Sequence, residues 1–295
     1  MTGSVRTVLG EVDASELGVT YCHEHLIIDS PIVATQFPEI HLPSVEEAIA
    51  EASKCVEVGV GTMVDAMPVG GGGHLGHLRQ VARATGLHIV AATGMHASRY
   101  YDDELPLEPD QLVERFFADI NAGCGVIKLA WSQAEPEPRG LTLFEAAAAT
   151  HQRTGIPILT HCEEGRGGVA QVSALVRLGV RPERITLSHT DKVTDAGYHA
   201  ELLSSGVNLE YDQGLRDPDR TLAMAVTAVE AGFGARVMLG TDGARRRLWQ
   251  TLGGSPGLAW LLTDLVPRLE SLVGREAVDS MLTANPHRWL AVTTA

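Results

Sequence analysis

Short β-branched runs alternate with helical patterns eight times along this chain, and that repeat leaves few architectures open. The runs are residues 20–28, 61–66, 88–93, 125–130, 157–161, 185–189, 207–211 and 237–242. Between them, 45–58, 75–85, 109–121, 141–154, 169–178, 196–205 and 221–231 carry apolar residues at helical spacing, several closed by a glycine such as Gly86, Gly155 or Gly206. Strand then helix, repeated, implies a parallel sheet, because each crossover returns the chain to the same end. Eight units in 295 residues, with no Pro/Ser-rich linker or charge run to divide them, predict one α/β domain over 1–295, a closed (β/α)8 TIM barrel. Two extra C-terminal helices, 257–269 and 275–290, are expected to cover its outer wall or base.

The composition, 44% apolar and 20% charged, is that of an ordinary globular protein, and no apolar run is long enough to span a bilayer, which argues against a membrane role. The start, MTGSVRTVLGEVDA, lacks the basic end and apolar core of a signal peptide, so the expected compartment is cytoplasmic. A formal charge of −14 repels a phosphate backbone and argues against nucleic acid as a partner. Cys22, Cys55, Cys124 and Cys162 are far apart with no CxxC pair, which fits reduced core thiols.

Residues two apart on a strand share a face, so His23 and His25 both enter the barrel while Cys22 and Glu24 face the helical layer. A lone interior histidine is usually a hydrogen-bonded core residue. Two on one short strand leave costly polar rings side by side unless something binds them. Later strands end in Lys128, His161, His189 and Asp242, and the carboxyl ends of barrel strands form the active rim. Imidazole and carboxylate are ligands of zinc-like ions, so these residues read as one metal site spread along the chain. Lys128, flanked by apolar residues, is pushed toward a neutral amine, which can take up carbon dioxide to give a two-oxygen carbamate able to bridge two cations. A lysine snorkelling to the mouth and a Schiff-base lysine of an aldolase stay open as other readings. Asp242 can ligate a metal and accept a proton from attacking water, or merely cap its turn.

HEH on the first strand, Lys128 in IKLA, and His161, His189 and Asp242 together resemble the phosphotriesterase-like branch of the amidohydrolase superfamily over essentially the whole chain. The segment GTDGARR from Gly240 and the later GGSPG from Gly253 fit as well. The resemblance implies two divalent ions, zinc before cobalt, manganese or iron. His23, His25, Lys128 and Asp242 would hold one, and His161, His189 and the other oxygen of an N6-carboxylated Lys128 the second, with a hydroxide between them. It also implies a homodimer. In phosphotriesterases proper, a histidine after the seventh strand relays protons from the aspartate; Glu210–Tyr211–Asp212–Gln213 stands there in this chain. The family's sugar-lactone members resemble the chain around Asp191 and Gly197–Tyr198–His199 but carry a basic insertion that is shortened here to Leu215–Arg216–Asp217–Pro218.

The leading expectation is a binuclear zinc hydrolase with a small-molecule lactone or carboxylic ester as substrate and side activity on phosphotriesters. A phosphotriesterase proper and a Schiff-base aldolase using Lys128 are the alternatives, with a binding protein that keeps metal only for structure behind them. Arg216 and Arg245 are candidate forks onto a substrate carboxylate or phosphate, or else surface ion-pair partners. Tyr100 and Trp131 could wall the substrate pocket or pack beneath loops. Gly71, Gly73 and Gly76 fit a dinucleotide fingerprint without the acidic residue it needs, and Gly253–Gly257 fits a nucleophile elbow without its strand. His74 and His77 suggest only a surface, and His41, His88, His96, His151, His199 and His287 only solvation or core hydrogen bonds.

Overall fold

The computed structural model describes residues 3–101, 108–131 and 138–292. A hairpin, β1 (Ser4–Thr7) and β2 (Gly10–Asp13), precedes β3 (Val19–Glu24), β4 (Val60–Asp65), β5 (His88–Met95), β6 (Cys124–Trp131), β7 (Ile158–Cys162), β8 (Ile185–Ser188), β9 (Asn208–Tyr211) and β10 (Val237–Leu239). The last eight form a sheet in chain order with every neighbouring pair parallel. It closes between β10 and β3, where the amides of Thr241 and Asp242 donate to the His23 carbonyl at 3.2 and 2.9 Å. This is the expected (β/α)8 TIM barrel.

Helices α1 (Pro31–Gln36), α2 (Val45–Glu57), α3 (Leu75–Thr85), α4 (Pro109–Ala122), α5 (Pro138–Thr154), α6 (Gly168–Arg177), α7 (Ala196–Ser204) and α8 (Pro218–Glu230) follow the strands. Leu78 and Val81 of α3, Leu112 and Phe116 of α4, and their counterparts on the other helices pack on the outer face of the sheet in one continuous cluster. A second cluster fills the barrel: Val64, Val90, Val126, Leu159 and Met238 form its interior, and Val5, Leu17, Trp289 and Leu290 close its base. No helix among the described residues is long and apolar enough to cross a membrane.

Four details depart from the sequence reading. The hairpin and α1 were too short to show a period. The first strand stops at Glu24, because the amides of Leu26 and Ile27 donate to the Asp65 carboxylate at 2.7 and 3.4 Å instead of a strand ladder. A register shift between Tyr21 and Glu24 upsets simple alternation, so Cys22 lies inside the barrel, its Sγ 3.7 Å from Met238 Sδ, rather than facing the helices. The C-terminal region is α9 (Val266–Val273), α10 (Arg275–Leu282) and α11 (Ala284–Leu290), with the expected long helix broken at Thr283. All four cysteines are free and buried.

Two glycines admit the chain where the site needs it. Gly94 has φ +100°, and a Cβ there would stand 2.0 Å from the Lys128 carbonyl oxygen. At Gly240 a Cβ would lie 2.5 Å from Glu210 Oε1 and 2.8 Å from the His23 nitrogen, so only glycine lets β10 close against β3 beside His23.

Candidate metal centre

The strand ends bring His23, His25, Lys128, His161, His189 and Asp242 to one cavity mouth. His23 Nε2, His25 Nε2 and Asp242 Oδ1 converge, at 3.3 Å between the rings, 3.4 Å from His25 to the carboxylate and 3.9 Å from His23 to it. A tetrahedral cation bonded at about 2.0–2.1 Å sets its ligand atoms about 3.3 Å apart, so the spacing suits one ion. His161 Nδ1 and His189 Nε2 form a second pair of facing nitrogens at 2.8 Å. Lys128 is fully buried, with Nζ 3.5 Å from His23 Nε2 and 3.2 Å from the Ser188 hydroxyl.

The outward ring nitrogens fix which nitrogen of each imidazole is free. His23 Nδ1 lies 3.3 Å from both Glu210 Oε2 and Asp212 Oδ2, and His189 Nδ1 lies 2.7 Å from Asp212 Oδ2. His161 Nε2 meets Glu163 Oε2 at 3.1 Å. Asp212 and Glu163 are held ionised and only accept, so each of these nitrogens carries the proton and the opposite nitrogen presents a lone pair. Two lone pairs on buried rings, 2.8 Å apart at His161 and His189, repel unless a cation sits against them. The donor set therefore fits metal ions.

Burial and local charge agree with neutral rings and ionised carboxylates. Burial, then Lys128, holds His23 well below the usual imidazole range, and burial with neighbouring His189 pushes His161 down to about 3. Burial alone would raise Asp212 and Asp242, but His189 and His23 hold the first, and Arg216, His25 and His189 the second, well below the usual carboxylate range. Glu210, buried against Asp212, goes up and keeps its proton. Burial pushes Lys128 down to about 8 against the pull of Glu210 and Asp242.

Of the three positive-φ residues other than glycine among those described, His189 (66°), Asp242 (44°) and Glu164 (50°), all line this cavity. Such backbone costs about 1–3 kcal/mol each and persists where the surroundings enforce it, as at functional sites.

The candidate substrate residues divide. Tyr100 lines the cavity, edge-on to His96 at 5.0 Å, and Arg245 stands at the mouth 4.0 Å from Glu39. Arg216 is already engaged: its guanidinium donates to the carbonyls of Thr241 and Asp242 at 3.1 and 2.6 Å and pairs with Asp242 Oδ2 at 3.1 Å. Trp131 is not at the site. Alternation on β6 sends Lys128 inward and Trp131 outward, where its ring meets Phe144 at 4.8 Å in the helical layer.

Sequence reasoning missed Asp212, Glu210, Glu163 and His96. Glu210 and Asp212 are two apart at a strand end, the same signal that exposed His23 and His25. His96, set aside as a solvated or core residue, is buried with its ring 5.0 Å from that of His161.

Comparison with known proteins agrees with the geometry. The model of the phosphotriesterase family matches residues 3–290. A phospho-furanose lactonase of Mycoplasmopsis agalactiae is 30% identical over 97% of this chain and 91% of its own length. An aryldialkylphosphatase of Saccharolobus solfataricus is 25% identical over 95% and 97%. The crystal structure of a lactonase from Listeria monocytogenes superposes with a TM-score of 0.93 over 99% of this chain and all of that one, and at 22% identity it speaks for the fold. The chain belongs to the phosphotriesterase family and is a metal-dependent hydrolase.

Proposed function

We propose that the chain is a binuclear zinc hydrolase that opens lactones or related carboxylic esters, with an N6-carboxylated Lys128 between the ions. The observation that carries this reading is the gathering of two donor groups in one cavity beside a buried amine: His23, His25 and Asp242 as one, His161 and His189 as the other, with Lys128 Nζ 3.5 Å from His23 Nε2. An ammonium there would repel both cations, whereas a carbamate is an anion offering an oxygen to each. Bound ions would polarise the ester carbonyl and lower the pKa of water.

The chain's own groups do the rest. Asp242 is the carboxylate placed to accept the proton of the attacking water, and Arg216, paired with Oδ2 at 3.1 Å, holds it in position. Asp212 and Glu210 keep His23 and His189 in the tautomer whose lone pair faces inward. The cavity of about 190 Å³ is lined mainly by charged and imidazole groups, Arg99, Lys192 and Arg245 among them, which favours a small polar lactone over one with a long acyl tail. The name of the Mycoplasmopsis relative points the same way.

The test is zinc-loaded enzyme against sugar lactones with and without a phosphate, acyl lactones, simple esters and an aryl phosphotriester. Lactone opening that is lost on chelation supports the reading. Efficient hydrolysis of the phosphotriester with no lactone opened replaces it by a phosphotriesterase proper, and borohydride trapping of a keto substrate on Lys128 by an aldolase.

A further inference from the structure

A buried carboxyl grips the turn that follows several ligand-bearing strands. Asp65 on β4 holds the amides of Leu26 and Ile27, just past His25, and Asp212 holds the amide of His189 at 3.1 Å. Glu24 does the same for the turn of Asp242. Its side chain is fully buried and accepts from the Thr241 amide at 2.8 Å and from the Thr241 hydroxyl, one residue before the carboxylate that faces His23 and His25.

We propose that Glu24 is a positioning residue that sets the Asp242 carboxylate in register with the imidazoles of His23 on β3 and His25 just past its end. Asp242 holds a left-handed backbone, φ 44°, that an L-residue keeps only when its surroundings enforce it. β10 has ended at Leu239, and past it the amides of Thr241 and Asp242 reach the His23 carbonyl at 3.2 and 2.9 Å. Two side chains add to that backbone contact: Arg216 donates to the carbonyls of Thr241 and Asp242, and Glu24 accepts from the Thr241 amide and hydroxyl. Glu24 also stands between His23 and His25 in sequence. The segment that supplies two donors therefore carries the anchor of the third, and a shift of β3 moves all three together. Glu24 does not line the cavity, so its effect runs through Thr241 and the Gly243 amide, on either side of Asp242.

This rests on the reading that His23, His25 and Asp242 hold a cation. The test compares Glu24→Gln and Thr241→Val with wild type for zinc affinity by chelator competition, the absorption spectrum of the cobalt-loaded protein, thermal midpoint, and kcat against KM. Glu24→Gln keeps the volume but replaces one acceptor oxygen by a donor. The expected result is about 10- to 100-fold weaker binding of one of the zinc ions, a changed cobalt spectrum and a lower kcat at a KM within about twofold of wild type. Thr241→Val, which removes one bond only, falls between. A lowered midpoint with wild-type zinc affinity and cobalt spectrum makes Glu24 merely structural and overturns the proposal; if Glu24→Gln does not fold, the same readouts on Thr241→Val decide. His25→Ala separates the two levels: wild-type zinc affinity there removes the metal-site reading itself, whereas weakened zinc in His25→Ala beside unaffected Glu24 and Thr241 variants removes only the role of Glu24.

Discussion

The Lys128 amine ends 3.5 Å from Nε2 of His23, fully buried and 3.2 Å from the Ser188 hydroxyl. On the proposed reading, a protonated amine at that distance from a metal-facing nitrogen would repel the ion, and a carbamate would complete the site. Lys128→Ala should lose zinc pairing and lower kcat by more than about a hundredfold, since loss of residues that merely support a ligand already costs 10- to 100-fold. Short carboxylic acids should restore part of the activity by supplying the missing oxygens. Wild-type turnover in the alanine variant would remove Lys128 from the chemistry.

Reconstitution should depend on pH through the same amine. Burial lowers Lys128 to about 8, and only the neutral form takes up carbon dioxide. Below that value the neutral fraction falls about tenfold per pH unit, and above it the fraction saturates. Zinc reactivation of metal-stripped protein, followed at fixed carbon dioxide pressure, should therefore quicken steeply from pH 6 to 8 and then level off. A rate flat across that range contradicts the carbamate.

The barrel and the residues that meet at its mouth were legible because both follow from periods: alternation of strand and helix, and alternation of side chains along a strand. What escaped needed distance information. The Asp65 carboxylate ends β3 from a neighbouring strand, and a register shift turns Cys22 inward, and neither leaves a local trace. Asp212 does leave a local trace, two residues after Glu210 at a strand end, but its partners, His23 and His189, lie on other strands. Arg216 was correctly placed over the site, but its geometry assigns the guanidinium to Asp242 and not to a substrate.

Buried neutral histidines should make the metal-free protein acid-labile. Burial lowers His151 and His199 as it does His161, and His199 is held between the Tyr211 hydroxyl at 2.7 Å and the Val193 carbonyl at 2.8 Å. The folded state resists protons that the unfolded chain binds near pH 6.5, so unfolding takes up protons. Stability should be full above that pH and fall below it, by up to about 1.4 kcal/mol per pH unit for each such fully buried ring, until the lowered folded value is reached. His151 and His199 are partly screened and contribute less. Urea midpoints of metal-stripped protein between pH 7.5 and 5 measure this, and no decline would contradict neutral burial.

Trp131 provides a contrast at the end of the same strand as Lys128. Its ring packs on Phe144 outside the barrel, so Trp131→Phe should cost about 0.5–3 kcal/mol of stability while leaving KM within about twofold. A KM raised severalfold with an unchanged midpoint would return Trp131 to the substrate pocket.

Asp212 Oδ2 meets three groups at once: the His189 amide at 3.1 Å, His189 Nδ1 at 2.7 Å and His23 Nδ1 at 3.3 Å, one histidine from each side of the proposed pair of ions. Its charge should make both imidazoles stronger donors, and its position should hold both rings in place. Two variants separate these effects. Asp212→Asn can keep an oxygen at Oδ2 once the Gln213 amide, bonded to Oδ1, turns over, so it removes charge alone. Asp212→Ala removes charge and position and leaves the His189 amide unpaired. Zinc affinity should fall about tenfold in the asparagine variant and nearer a hundredfold in alanine, with a stability loss of about 1–3 kcal/mol confined mainly to the latter. Equal losses in both would make the charge the whole effect. Wild-type affinity in asparagine would reduce Asp212 to a geometric support.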